Sequence, residues 1–75
     1  LMTEMCVMNQ SGDTKTIFDP NNADEVEAAR DTFAKLRKKG YLAYRVKGDG
    51  EKGEAITEFD ASAGKIILTP PMKGG

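Results

Sequence analysis

The chain is 75 residues long with 39% hydrophobic and 31% charged residues, enough for one thin core and too apolar for a disordered chain. Eleven basic against 12 acidic side chains give a formal net charge of −1, so no excess field draws nucleic acid or an anionic membrane. There is no histidine and one cysteine, which removes the commonest general base and metal ligand and rules out an internal disulfide framework.

Residues 4–9 (EMCVMN) and 14–19 (TKTIFD) read as two strands. The polar run Gln10-Ser11-Gly12-Asp13 between them is a hairpin turn, with Gly12 at the position that accepts positive φ. Asp19-Pro20-Asn21-Asn22 breaks the second strand and leads into a helix. Asn22 is the predicted N-cap, and Glu25 three residues later suggests a capping box. Val26, Ala29, Phe33 and Leu36 recur at helical spacing and form one apolar stripe. Asp24, Glu25 and Glu27 lie in the first turns and Lys35, Arg37, Lys38 and Lys39 in the last, both suited to the helix dipole. Asp31 and Lys35 are spaced for an i,i+4 ion pair, and Gly40 closes the helix.

Residues 41–47 (YLAYRVK) form the next strand, with the larger apolar side chains Leu42, Tyr44 and Val46 alternating with Ala43, Arg45 and Lys47. A loop over 48–53 leads to a weaker strand candidate over 54–59 (EAITEF), and 60–64 (DASAG) turn the chain again. Residues 65–69 (KIILT) read as a strand covered on more than one side. Pro70-Pro71 ends it, because neither residue donates a ladder hydrogen bond. The element order ββαβ(β)β is that of a β-grasp: an α+β fold with an N-terminal hairpin and one helix on a mixed sheet of four or five strands. Residues 1–69 then form a single domain and 70–75 an extended tail.

Most candidate chemistry dissolves on inspection. Gly48, Gly50 and Gly53 match the spacing of a dinucleotide loop, but a strand follows where that motif opens a helix, and Asp49 and Glu51 repel phosphate. Cys6 sits among apolar residues without a histidine to activate it, and reads as a small buried hydrophobe. Asn9-Gln10-Ser11 matches the glycosylation pattern by chance. Asp49, Glu51, Glu54, Glu58 and Asp60 lack the ordered spacing of a calcium loop and read as a solvated acidic edge. The basic group Lys35, Arg37, Lys38 and Lys39 reads as dipole pairing and solvation, with an acidic partner as the alternative.

The end of the sequence stands apart. At average glycine usage, two successive glycines at a given place arise in roughly one chain in two hundred. Here they follow a hydrophobic strand, Pro70-Pro71, Met72 and Lys73. This resembles the tails of the ubiquitin-like carriers: the small subunit of molybdopterin synthase, the thiamine-pathway sulfur carrier and ubiquitin. The form Pro-Pro-hydrophobic-x-Gly-Gly is most similar to the molybdopterin synthase subunit. The sequence departs from that subunit before the last strand, where Ala63-Gly64-Lys65-Ile66 replaces a Gly-Asp-hydrophobic stretch, and from ubiquitin in having Lys73 where an arginine precedes Gly-Gly.

The resemblance implies that the terminal carboxylate attacks the α-phosphate of ATP inside an activating enzyme, and that the acyl-adenylate passes to sulfur or to an amine. Glycine suits a chain end that threads a narrow tunnel, and the prolines keep its exit extended. By this resemblance Gly75 is activated, Gly74 gives passage, and Leu68, Pro70, Pro71 and Met72 dock the partner, with Ile66 nearby and a sheet surface bearing Tyr44, Arg45 and Leu68. The implied partners are an adenylating enzyme and an acceptor protein, with no nucleic acid, no membrane, no cofactor and no metal. No apolar run approaches the ~20 residues that span a bilayer and no signal pattern opens the chain. With Met2 read as the natural start, the expectation is a bacterial, cytoplasmic monomer that is not an enzyme. Protein modifier and sulfur carrier both remain open, and the alternative is a phage- or operon-encoded binding module with the same fold and an inert tail.

Overall fold

The computed structural model describes residues 1–46 and 53–72. Five strands, β1 (Thr3–Val7), β2 (Thr14–Phe18), β3 (Leu42–Val46), β4 (Glu54–Ile56) and β5 (Lys65–Thr69), and one helix, α1 (Ala23–Lys38), follow the predicted order. The sheet order is β2-β1-β5-β3-β4, with β1 parallel to β5 and the remaining neighbours antiparallel. One helix laid across this mixed sheet after an N-terminal hairpin is the β-grasp fold. The parallel β1–β5 pair places the strand that leads to the tail at the centre of the sheet.

The helix forms where its local signals put it. Asn22 Oδ1 accepts the N–H groups of Asp24 and Glu25 at 3.1 and 3.2 Å, satisfying two orphan donors. The capping box is only half realised, because Glu25 Oε1 accepts the Asp19 N–H (3.2 Å) and so ties the helix to the end of β2. At the other end Gly40 has φ +93°, with Tyr41 N–H donating to Leu36 O and Gly40 N–H to Arg37 O, both at 3.0 Å. This is a Schellman closure, and positive φ is the reason for glycine there. Asp31 and Lys35 form no ion pair; the helix surface pairs Glu27 with Arg30 at 3.8 Å instead.

The core comprises Met5, Val7, Phe18, Ala29, Phe33, Ala43, Ile66 and Leu68. Val26 and Leu36 pack at its margin, so the helical stripe faces the sheet as expected. Residues paired across strands share a face, and the register puts Met5 beside Ile66 beside Arg45, and Val7 beside Leu68 beside Ala43. The β3 alternation therefore runs opposite to the expectation from side-chain size. Ala43 is buried under the helix, whereas Leu42 is 50% exposed on the other face with Tyr44. The bulk on the covered side comes from Phe18, Phe33 and Phe59.

Two further expectations are corrected. The fourth strand stops at Ile56, and Phe59 instead crosses beneath the helix, 5.8 Å from the Phe18 ring and 5.6 Å from the Phe33 ring. Cys6 is half-buried on the open face, between Lys15 and Ile67 in register, and is not part of the core. The turn before β5 is built by Asp60, whose Oδ1 accepts Ser62 N–H (3.0 Å) and Oγ–H (2.7 Å), and by Gly64 at φ +81°. Thr3, buried at the sheet end, donates its hydroxyl to Ala61 O at 2.6 Å and so fastens that turn to β1.

Candidate functional site

The base of the C-terminal tail is assembled from four places in the chain. β5 ends at Thr69, and Pro70, Pro71 and Met72 follow on the surface, with Met72 95% exposed. Met8 N–H donates to Leu68 O at 2.8 Å, one residue beyond the regular β1 ladder, which holds the last turn of β5 against the start of the hairpin loop. Asn9, Gln10 and Ser11 of that loop, with Pro70, Pro71 and Met72, line an open concavity of about 650 Å³. Asn9 Oδ1 accepts a short hydrogen bond from the Tyr41 hydroxyl, and the Tyr41 carbonyl accepts Arg37 Nη1–H at 2.6 Å. The hairpin loop, the helix end and the root of β3 are thereby locked around the tail's exit.

Gly40 belongs to this lock as well as to the helix end. A Cβ there would lie 3.3 Å from Pro71 Cβ, so the glycine lets the first tail residues lie close against the helix terminus. Exposed Lys35, Lys38 and Lys39 stand at that same helix end and make the exit locally cationic. The base thus offers a shaped exit held together by hydrogen bonds.

The sequence-predicted residues fall into three groups. Pro70, Pro71 and Met72 are exposed together at the tail base. Leu68 is 0% exposed, facing the helix between Val7 and Ala43, so its side chain is a core element and offers no docking surface; Ile66 is equally buried. Gly74 and Gly75 lie outside the described residues, as do residues 48–52 of the glycine-rich loop. Gly53 of that loop has its own structural reason, since a Cβ would sit 2.8 Å from Arg45 O.

Arg45 is also reassigned. Its Nη1 donates to Asp60 and its Nη2 to Glu54, both at 2.8 Å, which closes the helix-covered side of the sheet. The guanidinium is held more firmly protonated, first by Glu54 and then by Asp60. The Asp60 carboxyl is pushed below the ordinary carboxylate value, first by the Ser62 hydroxyl and then by Arg45. Two members of the supposed solvated acidic edge are thus engaged with one arginine. Among the described residues no cluster of three or more Cys, Asp or Glu could hold a metal, and no helix is long and apolar enough to cross a membrane.

Sequence reasoning missed Asn9 and Tyr41 at the tail base. Their contact spans 32 residues of chain, and a tyrosine that opens a strand carries no local sign of it. Of the residues assigned to the docking face of the sheet, Tyr44 lies on the open face, whereas Arg45 and Leu68 lie on the helix-covered one. The open face carries, among its apolar residues, Ile17, Cys6, Ile67, Leu42, Tyr44 and Val46, spread over four adjacent strands. Strand order and tail position define a β-grasp chain whose central strand feeds an exposed terminal segment. No family model, curated protein or solved structure matches this chain.

Proposed function

We propose that this chain is a ubiquitin-like carrier that acts through Gly74-Gly75, its Gly75 carboxylate being adenylated by an activating enzyme and then passed to sulfur or to an acceptor amine. The observation that supports the reading is the exposed Pro70-Pro71-Met72 segment, which follows the central strand β5 at a hydrogen-bonded base and precedes the two glycines in sequence. The reading requires a free Gly75 carboxylate, whether encoded as such or produced by trimming. Prolines in an extended exit reduce the entropy lost when the tail enters an enzyme tunnel, and glycines let the chain end pass a constriction that side chains would block.

The docking surface in this reading is the open sheet face, with Tyr44, Leu42 and Ile67 in place of the buried Leu68 and the engaged Arg45. Leu42 is exposed there and Tyr44 and Ile67 are half-buried, forming with exposed Ile17 an apolar surface that the helix does not cover.

Intact mass spectrometry after incubation with ATP and lysate of the source cells tests the proposal. One oxygen replaced by sulfur at Gly75 means a sulfur carrier, and isopeptide conjugates ending at Gly75 mean a modifier. Deletion of Gly75 is expected to abolish either product. An unchanged mass with the wild-type chain, or products that survive the deletion, overturns the reading.

A further inference from the structure

A second concavity, of about 510 Å³, lies on the far side of the helix from β2, where the segment after β4 runs against it. Arg30, Phe33, Ala34 and Arg37 share one helical face by their i, i+3, i+4, i+7 spacing, and Glu58 and Phe59 form the opposite wall. Phe59 is clamped between the Phe18 and Phe33 rings, so the apolar floor is held by the core and does not collapse into the groove.

Two arginines line this groove. Arg30 lies over the Phe59 ring, 5.2 Å from its centroid, and its carboxylate partner is the exposed Glu27 at 3.8 Å. Arg37 is oriented by donating to the Tyr41 carbonyl at 2.6 Å, a contact that fixes the side chain without neutralising it. Among the described residues no carboxylate lies within ion-pair distance of Arg37. A guanidinium with a fixed direction and an uncompensated charge suits a carboxylate. Lys35, Lys38 and Lys39 on neighbouring turns add to the field, and Glu58 is the acidic group on the rim that opposes it.

We propose that this groove binds an extended acidic peptide segment of a protein partner, with one apolar side chain on the Phe33–Ala34–Phe59 floor and carboxylates on Arg30 and Arg37. Seven residues of helix separate the two arginines by about 10.5 Å along the axis. Alternate residues of an extended chain share a face, so acidic residues at i and i+4 are about 13 Å apart with an apolar residue between them, a spacing close to that of the two arginines along the helix. Single-stranded nucleic acid is the poorer fit, because Arg30 covers the Phe59 face on which a base would stack, whereas an aliphatic side chain needs only the parts of Ala34 and Phe59 that line the groove. The groove does not involve Gly74 or Gly75, so the proposal stands or falls separately from the carrier reading.

The experiment is a titration of the full ¹⁵N-labelled chain with acetyl-Glu-Ser-Leu-Ser-Glu-amide, followed by amide shifts. Saturable shifts are expected at Arg30, Ala34, Arg37 and Phe59, weakening with added salt. Replacing both glutamates of the peptide by glutamine is expected to weaken binding roughly tenfold, and Glu58→Gln in the protein to tighten it about twofold. The double variant Arg30→Glu/Arg37→Glu is expected to lose the glutamate peptide and to bind the lysine version. If that variant loses its fold, Arg37→Gln, which retains the Arg30–Phe59 contact, is expected to weaken binding about fivefold. Equal affinity for the glutamine peptide, shifts confined to Tyr44 and Ile67 on the open face, no shifts at all, or equal shifts with oligothymidine would each overturn the proposal.

Discussion

The two faces of the sheet differ less in hydrophobicity than in what covers them. The face under the helix carries Met5, Val7, Phe18, Ala43, Ile66 and Leu68, all nearly inaccessible. The opposite face carries Cys6, Ile17, Leu42, Tyr44 and Ile67, similar in kind, with Ile17 56% and Leu42 50% exposed. Apolar side chains alternate onto both sides of β1, β3 and β5, so composition alone does not select the buried side. The helix stripe and the crossing Phe59 select it by filling one side with aromatic volume. Residues on the open face are then left available for intermolecular burial, the role that the carrier reading gives them.

The largest expected effect separates the faces directly. Leu68→Ala leaves a cavity in a rigid site and is expected to lower stability by about 3 kcal/mol. Leu42→Ala, one strand away on the open face, is expected to change it by no more than about 0.5 kcal/mol. Urea denaturation with equal m-values measures both. Comparable losses for the two variants would mean that the open face is covered in solution. In the carrier reading the order reverses for activation: Leu42→Ala slows adenylation at Gly75, whereas Leu68→Ala acts only through the fraction unfolded.

A composition-neutral swap sharpens the comparison. Leu42→Ala combined with Ala43→Leu keeps the composition but moves the larger side chain to the covered position, forcing a leucine beneath the helix. Overpacking there is expected to cost about 1–3 kcal/mol. A swap that leaves the urea midpoint unchanged would show that β3 tolerates either face.

β3 also marks how much the sequence made legible. Asn22, the apolar stripe and Gly40 were readable because caps, periodicity and helix closure are local. The hairpin and the Pro70-Pro71 stop were readable for the same reason. The face of β3, the role of Phe59 and the Arg45–Asp60 bridge depend on register and on contacts across many residues, and no local pattern encodes them. Of the candidate site, the exposed Pro70-Pro71-Met72 exit was legible. Its Asn9–Tyr41 lock and the burial of Leu68 emerged only once strand order was known.

The smallest expected effect concerns the charges that finish each face. On the covered side Arg45 makes two 2.8 Å hydrogen bonds, to Asp60 and Glu54. On the open side Glu4 lies 3.9 Å from Lys15 and 3.3 Å from Lys65, with no hydrogen bond closing either pair. Geometry of the first kind holds its partners, whereas loose exposed pairs contribute little. Because the Asp60 carboxyl is depressed in the folded state, its contribution is present above the ordinary unfolded value of about 3.9 and is lost as pH falls through the lower folded value. Partial exposure of the carboxylate keeps this contribution small. Asp60→Asn is therefore expected to lower the urea midpoint slightly at pH 7 and to flatten its decline below about pH 4. Glu4→Gln is expected to leave the midpoint at pH 7 unchanged. If Asp60→Asn retained the full acid decline, the Ser62–Asp60–Arg45 chain would not be closing the covered face in solution, and the turn before β5 would be held by its backbone hydrogen bonds and by Thr3.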